Sequence, residues 1–185
     1  GKLTMIADLK TGRYDVGLDG QIIGLAIRGL GIVDLTSKLR AAPRANGGFG
    51  LSGNAMGRVR RLDNEFLRSL GGGLPTLRSK LELLPDGQIA LTDMKLESPL
   101  LALNAHGVRH RDGSLHLEGN GRHAQYGPVI VTLDGMIDRP KVDLLLARPM
   151  DALGLRDVRA LLIPDANGYS YTAAGGSTLG PFTGR

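Results

Sequence analysis

Cysteine and tryptophan are absent from this chain, and aromatic residues make up only 4% of it. Without cysteine there are no disulfides, no thiolate metal sites and no cysteine nucleophiles. That suits a cytosolic protein and a bacterial periplasmic one equally. The shortage of rings weighs against a compact β-sandwich, whose core usually relies on large aromatic side chains. It also weighs against a closed membrane barrel, which needs aromatic girdles at both interfaces. Four Tyr and three Phe are too few for two girdles. No stretch approaches the roughly 18–20 consecutive apolar residues that span a bilayer. Gly1–Leu9 lacks the layout of a signal peptide. Apolar alternation begins at Leu3 with no lead-in and stops inside Pro181–Arg185, so both ends are expected to be cuts from a longer chain.

What is present is aliphatic and rich in turns. The apolar share is 42%, with 28 Gly and 9 Pro among 185 residues. Leu, Ile, Val and Ala must therefore do the covering, and the Gly and Pro suit many short connections. Lys and Arg number 23 against 18 acidic residues, a formal charge of +5. Phosphate readout needs such charges gathered on one face, but here they are spread singly from Lys2 to Arg185. The densest group, Arg58, Arg60 and Arg61 with Arg68 nearby, reads as a solvated or membrane-surface patch. No nucleic-acid partner is expected.

The dominant period is two. Leu3, Met5, Ala7 and Leu9 share one parity, followed by Tyr14, Val16 and Leu18, by Ile23, Leu25 and Ile27, and by Val33, Leu35 and Leu39. Phe49 and Leu51 open a strand that thins toward Val59. Leu77, Leu81 and Leu83 alternate with Arg78, Lys80 and Glu82. Further pairs and triplets run through Ile89 and Leu91, Leu101 and Leu103, Leu115 and Leu117, and Val129, Val131 and Leu133. Val142, Leu144 and Leu146, then Val158, Ala160 and Leu162, then Tyr169 and Tyr171 complete the set. One apolar and one wet face is the pattern of half-buried antiparallel strands. About a dozen strands are expected.

The turn chemistry agrees. Asp19-Gly20, Asp86-Gly87, Asp112-Gly113 and Asn167-Gly168 are hairpin pairs. A two-residue loop at Asp112-Gly113 sets Leu115 opposite His110 and Leu117 opposite Val108. At Leu84-Pro85-Asp86-Gly87, a type I turn with a Gly bulge instead sets Leu83 opposite Ile89 and Leu81 opposite Leu91, which parity favours. Helical spacing is confined to Leu62–Leu70, capped by Asp63 or Asn64 and stopped by Gly71-Gly72-Gly73. One more turn is expected over Met150–Leu155. The chain divides into a first β block over 1–70, a Gly/Pro linker over 71–75 and a second block of the same continuing sheet over 76–185.

A meander of this length closes into a barrel, folds into a sandwich or remains an open trough. With the first two disfavoured, the expectation is an all-β, long antiparallel meander curled into an open groove, with one short helix. Its expected lining is Leu81, Leu83, Ile89, Leu91, Leu101, Leu103, Val108, Leu115, Leu117, Val129, Val131, Leu133, Val142, Leu144 and Leu146. Individually, each such residue also fits an ordinary core.

Candidate chemistry is thin. His106, His110, His116 and His123 fall close together, but the expected register puts His110 and His116 on opposite faces, and metal sites need three or four convergent ligands. They read as surface or strand-edge residues. Asp134 and Asp138 share the wet parity, and Asp151 caps a turn. Ser52 and Ser114 lack a nucleophile elbow, and Gly29-Leu30-Gly31 opens no phosphate loop. No cofactor and no catalysis are expected.

The run Asp86-Gly87-Gln88-Ile89-Ala90-Leu91, then Leu96-Glu97-Ser98-Pro99-Leu100 and Asp112-Gly113-Ser114-Leu115-His116-Leu117-Glu118-Gly119 resembles the AsmA-like proteins, particularly the TamB and YdbH-type group of Gram-negative bacteria. Tyr126-Gly127-Pro128 and Gly135-Met136-Ile137-Asp138-Arg139-Pro140-Lys141-Val142-Asp143-Leu144 have the same punctuation, as do Gly175-Gly176-Ser177 and Gly180-Pro181-Phe182. The likeness is clearest over 76–185 and lies in pattern and turn chemistry. It implies a segment of a long periplasmic protein anchored in the inner membrane. Such proteins form an open, tapered β-groove (a β-taco) and carry phospholipid between inner and outer membranes, with the headgroup outside at the open seam. A scaffold that guides outer-membrane proteins through exposed strand edges is the alternative.

Overall fold

The structure, a computed structural model, describes residues 1–8, 13–27, 31–44, 48–63, 65–149, 154–165, 168–177 and 179–184. The first strands are β1 (Lys2–Asp8), β2 (Arg13–Ile27), β3 (Gly31–Pro43) and β4 (Phe49–Leu62), followed by the helix α1 (Glu65–Gly71). Then come β5 (Thr76–Leu83), β6 (Ile89–Glu97), β7 (Leu101–Arg109), β8 (Ser114–His123) and β9 (Gly127–Met136). The last are β10 (Lys141–Leu146), β11 (Arg156–Asp165), β12 (Gly168–Ser177) and β13 (Gly180–Gly184). All thirteen strands form one antiparallel sheet in chain order. β1 and β13 each pair on one side only, so the sheet is open. Segment 71–75 returns the chain from α1 to the sheet, where β5 pairs with β4 from Arg58↔Thr76 to Ser52↔Glu82. The sheet is therefore continuous across that segment.

The hairpins at Asp86-Gly87 and Asp112-Gly113 are built alike. Leu84 N–H donates to Gln88 O (2.8 Å) and Gly87 N–H to Leu84 O (3.0 Å); His110 N–H donates to Ser114 O (2.8 Å) and Gly113 N–H to His110 O (3.0 Å). Each is a type I turn closed by a left-handed Gly, at φ +84° for Gly87 and +91° for Gly113. The first matches expectation, with Leu83↔Ile89 and Leu81↔Leu91. The second corrects the two-residue loop. A type I′ turn needs positive φ at both central residues, but of Asp112 and Gly113 only the glycine has it. The Asp112 carboxylate instead accepts the Ser114 N–H at 2.9 Å and its hydroxyl at 2.7 Å. The register moves by one: Leu117 faces Gly107, and Val108 faces His116.

Two other expectations are corrected. Asp19-Gly20 lies inside β2, where Gly20 faces Ser37 and Asp19 sits between Lys2 and Lys38. Two full ladders outweigh the local turn preference there. Leu62 closes β4 and is buried, and the helix begins at Glu65. Its stop is as expected: Gly72 sits at φ +65° and donates to Arg68 O at 3.0 Å, a left-handed C-cap. Most of the turn expected over Met150–Leu155, Asp151 included, and Asn167 lie outside the described residues, as do Leu9, Gly29 and Leu30.

Bulges keep the apolar set on one side. Leu91 and Leu96 are an odd number of residues apart, yet both face the same way because Asp93, at φ +49°, takes up a bulge between them. A second bulge at Gly24 puts Ile22 opposite Leu35 and Leu25 opposite Val33, leaving Ile23 exposed. Glycines also allow close strand approach. A Cβ on Gly107 would lie 2.0 Å from His116 O and 2.7 Å from Leu117 Cδ2. Gly107→Ala is therefore expected to cost about 2–3 kcal/mol in urea unfolding. Gly17→Ala has only ordinary contacts, the nearest at 3.7 Å, and should cost nothing measurable.

Candidate functional site

The ladder registers define one face shared by every strand. Following paired residues across the sheet gives a middle row of Gly20, Ser37, Ala55 and Ser79, continuing through Met94, Ala105 and Gly119. Along one side run Leu18, Leu39, Leu81, Leu91 and, beyond Gly107, Leu117, Leu133 and Val142. Along the other run Ile22, Leu35, Leu77, Leu96 and Leu103, then Val129, Leu146 and Val158. Apart from Met94, small side chains thus form the middle row from β2 to β8. The two rows of large aliphatic residues beside it are interrupted by Gly53 and Gly57 on β4, Gly107 on β7 and Gly121 on β8. Rows two residues to either side of the middle lie about 13 Å apart, and thirteen strands about 4.8 Å apart extend the face for roughly 58 Å.

From β9 on, the middle row fills. Val131, Leu144, Ala160 and Ala173 continue it. Here lies the buried cluster of Leu101, Val129 and Leu144, flanked by Leu96, Leu103, Val131, Val142, Leu146 and Ala160. Leu70 of α1 packs onto it. The helix therefore covers this face at the end where β6–β7 and β8–β9 turn. Toward β1, β2 and β12 the face is open. Leu3 and Met5 are 67% and 66% exposed, and Leu18, Ile22 and Tyr171 are exposed as well.

Of the expected lining, all residues but Val108 lie on this face. Val108 is on the reverse side, opposite Ala90 and His116, because the longer Asp112-Gly113 loop shifts β8 by one residue. Val33, which the alternation marks, is buried, as is Leu62, which the sequence reading gave to the helix. Met94 is also buried and was missed, because it follows the Asp93 bulge, where simple alternation fails.

The reverse face is charged, with oppositely charged groups set across neighbouring strands. Arg60 Nε donates to Asp34 at 2.6 Å, Lys80 Nζ lies 2.6 Å from Asp93 and Arg78 Nη2 3.2 Å from Glu97. Arg159 pairs with Asp143. Such exposed pairs contribute at most about 1 kcal/mol each, but together they mark the wet side. Asp34, Asp93 and Asp143 are held below the usual carboxylate range, Asp34 chiefly by the Gly24 N–H and the others by their cationic partners.

The histidines separate. His106 and His116 both belong to the charged face, where Glu118 lies 3.7 Å and 3.5 Å from them. His110 sits at the turn, its Nδ1 2.9 Å from Gln88 Oε1. Among the described residues no group of His, Asp and Glu has metal-holding geometry. His123 departs from the surface reading: it is 0% exposed, its Nε2 donates to Leu70 O at 2.9 Å, and its Nδ1 accepts the Gln125 and Tyr126 N–H groups at 3.1 Å each. Its ring stacks on Tyr126 at 4.1 Å. It ties α1 to the β8–β9 turn over the apolar face. The sequence reading put it at the surface with the other histidines, because nothing in the sequence told of the helix above it.

His116 is raised from its ordinary 6.5, first by its hydrogen bond to Asp134 (2.5 Å), against the opposing effect of burial, and further by the attraction of Asp134 and by Glu118. A raised folded value means that its contribution is complete below about pH 6.5 and is lost as pH climbs through that raised value. The site is exposed, so the amount stays under about 1 kcal/mol. Urea midpoints of the native chain should fall slightly from pH 6 toward alkaline conditions, and His116→Gln should flatten that fall.

No family model, no curated protein and no solved structure matches the chain. Among the described residues no helix is long and apolar enough to cross a membrane.

Proposed function

We propose that this chain is a segment of a bridge-like carrier that shields phospholipid acyl chains on its apolar face, between the two membranes of a Gram-negative envelope. The observation that carries this reading is the largely aliphatic face, with two rows rich in Leu flanking a middle row of mostly small residues, that α1 covers over only part of its length. A single-layer sheet with one greasy side needs something against that side. Each acyl CH₂ kept from water is worth about 0.8 kcal/mol, so a lipid moving through water unprotected faces a prohibitive cost. A face that carries aliphatic side chains along most of its length offsets that cost along the path, and no deep pocket among the described residues traps the lipid. No catalysis and no cofactor enter this role. The resemblance of residues 76–185 to AsmA-like proteins supports it, and implies a periplasmic location with an inner-membrane anchor in the parent protein.

The test is native mass spectrometry with lipid extraction on the chain purified from a Gram-negative host. Bound phospholipid is the expected result. A well-folded, lipid-free monomer would instead favour a scaffold that guides outer-membrane proteins, for which the one-sided edges of β1 and β13 offer strand pairing.

A further inference from the structure

At the end of the sheet where the apolar face is most buried lies a cavity of about 890 Å³ between the β8–β9 turn and residues 147–148 and 154–157. Arg122, Arg148 and Arg156 line it, and among the described residues Asp157 is the one carboxylate in the lining. All three arginines are exposed, and none of their side chains is in a hydrogen bond or ion pair among the described residues. Elsewhere some cations are paired, while others on the reverse face, such as Lys38, Arg40 and Lys95, stand singly among the described residues. Arg60, Lys80 and Arg159 have carboxylate partners, while Arg44 and Arg139, at the opposite end of the strands, donate to the Leu83 and Asp165 carbonyls. Three unpaired guanidiniums around one space repel each other unless an anion neutralises them, and the guanidinium fork fits phosphate oxygens two at a time.

The position of the cavity is as informative as its charge. Pro128 and Ala147 line it, joined by the Ala147 N–H to Pro128 O bond at 3.0 Å. Their chain neighbours Val129 and Leu146 point onto the apolar face, and Val129 is 1% exposed. An amphiphile whose tail reaches the half-buried Leu146 from the open part of that face therefore has its polar end at this rim. Taking the carrier reading as its premise, we infer that Arg122, Arg148 and Arg156 form a seat for a phosphate group, supplied by the headgroup of the lipid whose chain lies on the apolar face.

The test compares two probes with one acyl chain in common, lysophosphatidylglycerol and the uncharged monoacylglycerol, each titrated below its micelle-forming concentration. The native chain is expected to bind the phosphate-bearing probe about tenfold more tightly. The triple variant R122Q/R148Q/R156Q should lose that preference and keep its affinity for the monoacylglycerol. A control of equal charge change on the reverse face, K38Q/R40Q/K95Q, should keep both. The proposal is overturned if the triple variant retains the preference, or if the control loses it equally. Inorganic phosphate binding as tightly as the lipid probe, and lost in the triple variant, would assign the seat to free phosphate and overturn the headgroup assignment. If neither acyl probe binds the native chain, the carrier reading falls and this proposal with it.

Discussion

Replacing His123 by alanine is expected to lower the unfolding free energy by about 3–5 kcal/mol. Two effects add. Removing a fully buried ring leaves a cavity against Tyr126, a loss comparable to a large-to-small core substitution. The Leu70 carbonyl and the Gln125 and Tyr126 N–H groups also lose their partner together, and unpaired buried groups cost about 1–3 kcal/mol each where water cannot reach them. Urea unfolding of the native chain and the variant measures the difference. His106→Ala is the comparison, since that side chain is exposed and its nearest acid is 3.7 Å away; it should change stability by less than about 0.5 kcal/mol. A cost below about 1 kcal/mol for His123→Ala would show that the histidine does not hold the helix. Hydrogen exchange gives a second readout. The Leu100 N–H donates to Gly71 O and the Ala124 N–H to Leu100 O, so both amides should lose protection with the helix.

The second large effect separates the two faces by one step of register. Leu117→Asp puts a carboxylate on the apolar face beside Leu133 and Gly107, whereas Val108→Asp puts one on the charged face beside His116. A carboxylate among acyl chains must be desolvated or hydrated at the expense of the lipid. Co-purified phospholipid, quantified against protein by mass spectrometry, should fall at least about fivefold in Leu117→Asp. Val108→Asp should retain the native amount. Circular dichroism of both variants tells loss of lipid from loss of fold. Equal loss in both would mean that the face defined by the ladders is not where lipid sits. The same pair tests the register itself, because a two-residue loop at Asp112-Gly113 would place Val108 among the lining residues.

The sequence by itself determined the class of fold. Period-two alternation with Gly-punctuated turns permits only antiparallel strands, and the shortage of rings argued against a sandwich or a barrel. It also determined the Leu84–Gln88 hairpin, because there only one turn type keeps both flanking leucine pairs on one side. Composition placed the charged residues on the reverse face, since alternation forces Arg78 and Lys80 away from Leu77 and Leu81. Tertiary structure decided the rest. Asp112-Gly113 and Asp86-Gly87 look different by parity, yet both adopt the same turn, because an aspartate with negative φ and an Asx hydrogen bond outcompetes a type I′ loop. Asp19-Gly20 carries a strong turn signal, but pairing with two neighbours holds it inside a strand. The bulges at Gly24 and Asp93 shift parity in mid-strand, which no periodicity reveals. Above all, the burial of His123 and the gathering of Arg122, Arg148 and Arg156 depend on which turns come together at one end of the sheet. That arrangement follows from register summed over many strands, and no local stretch of sequence encodes it.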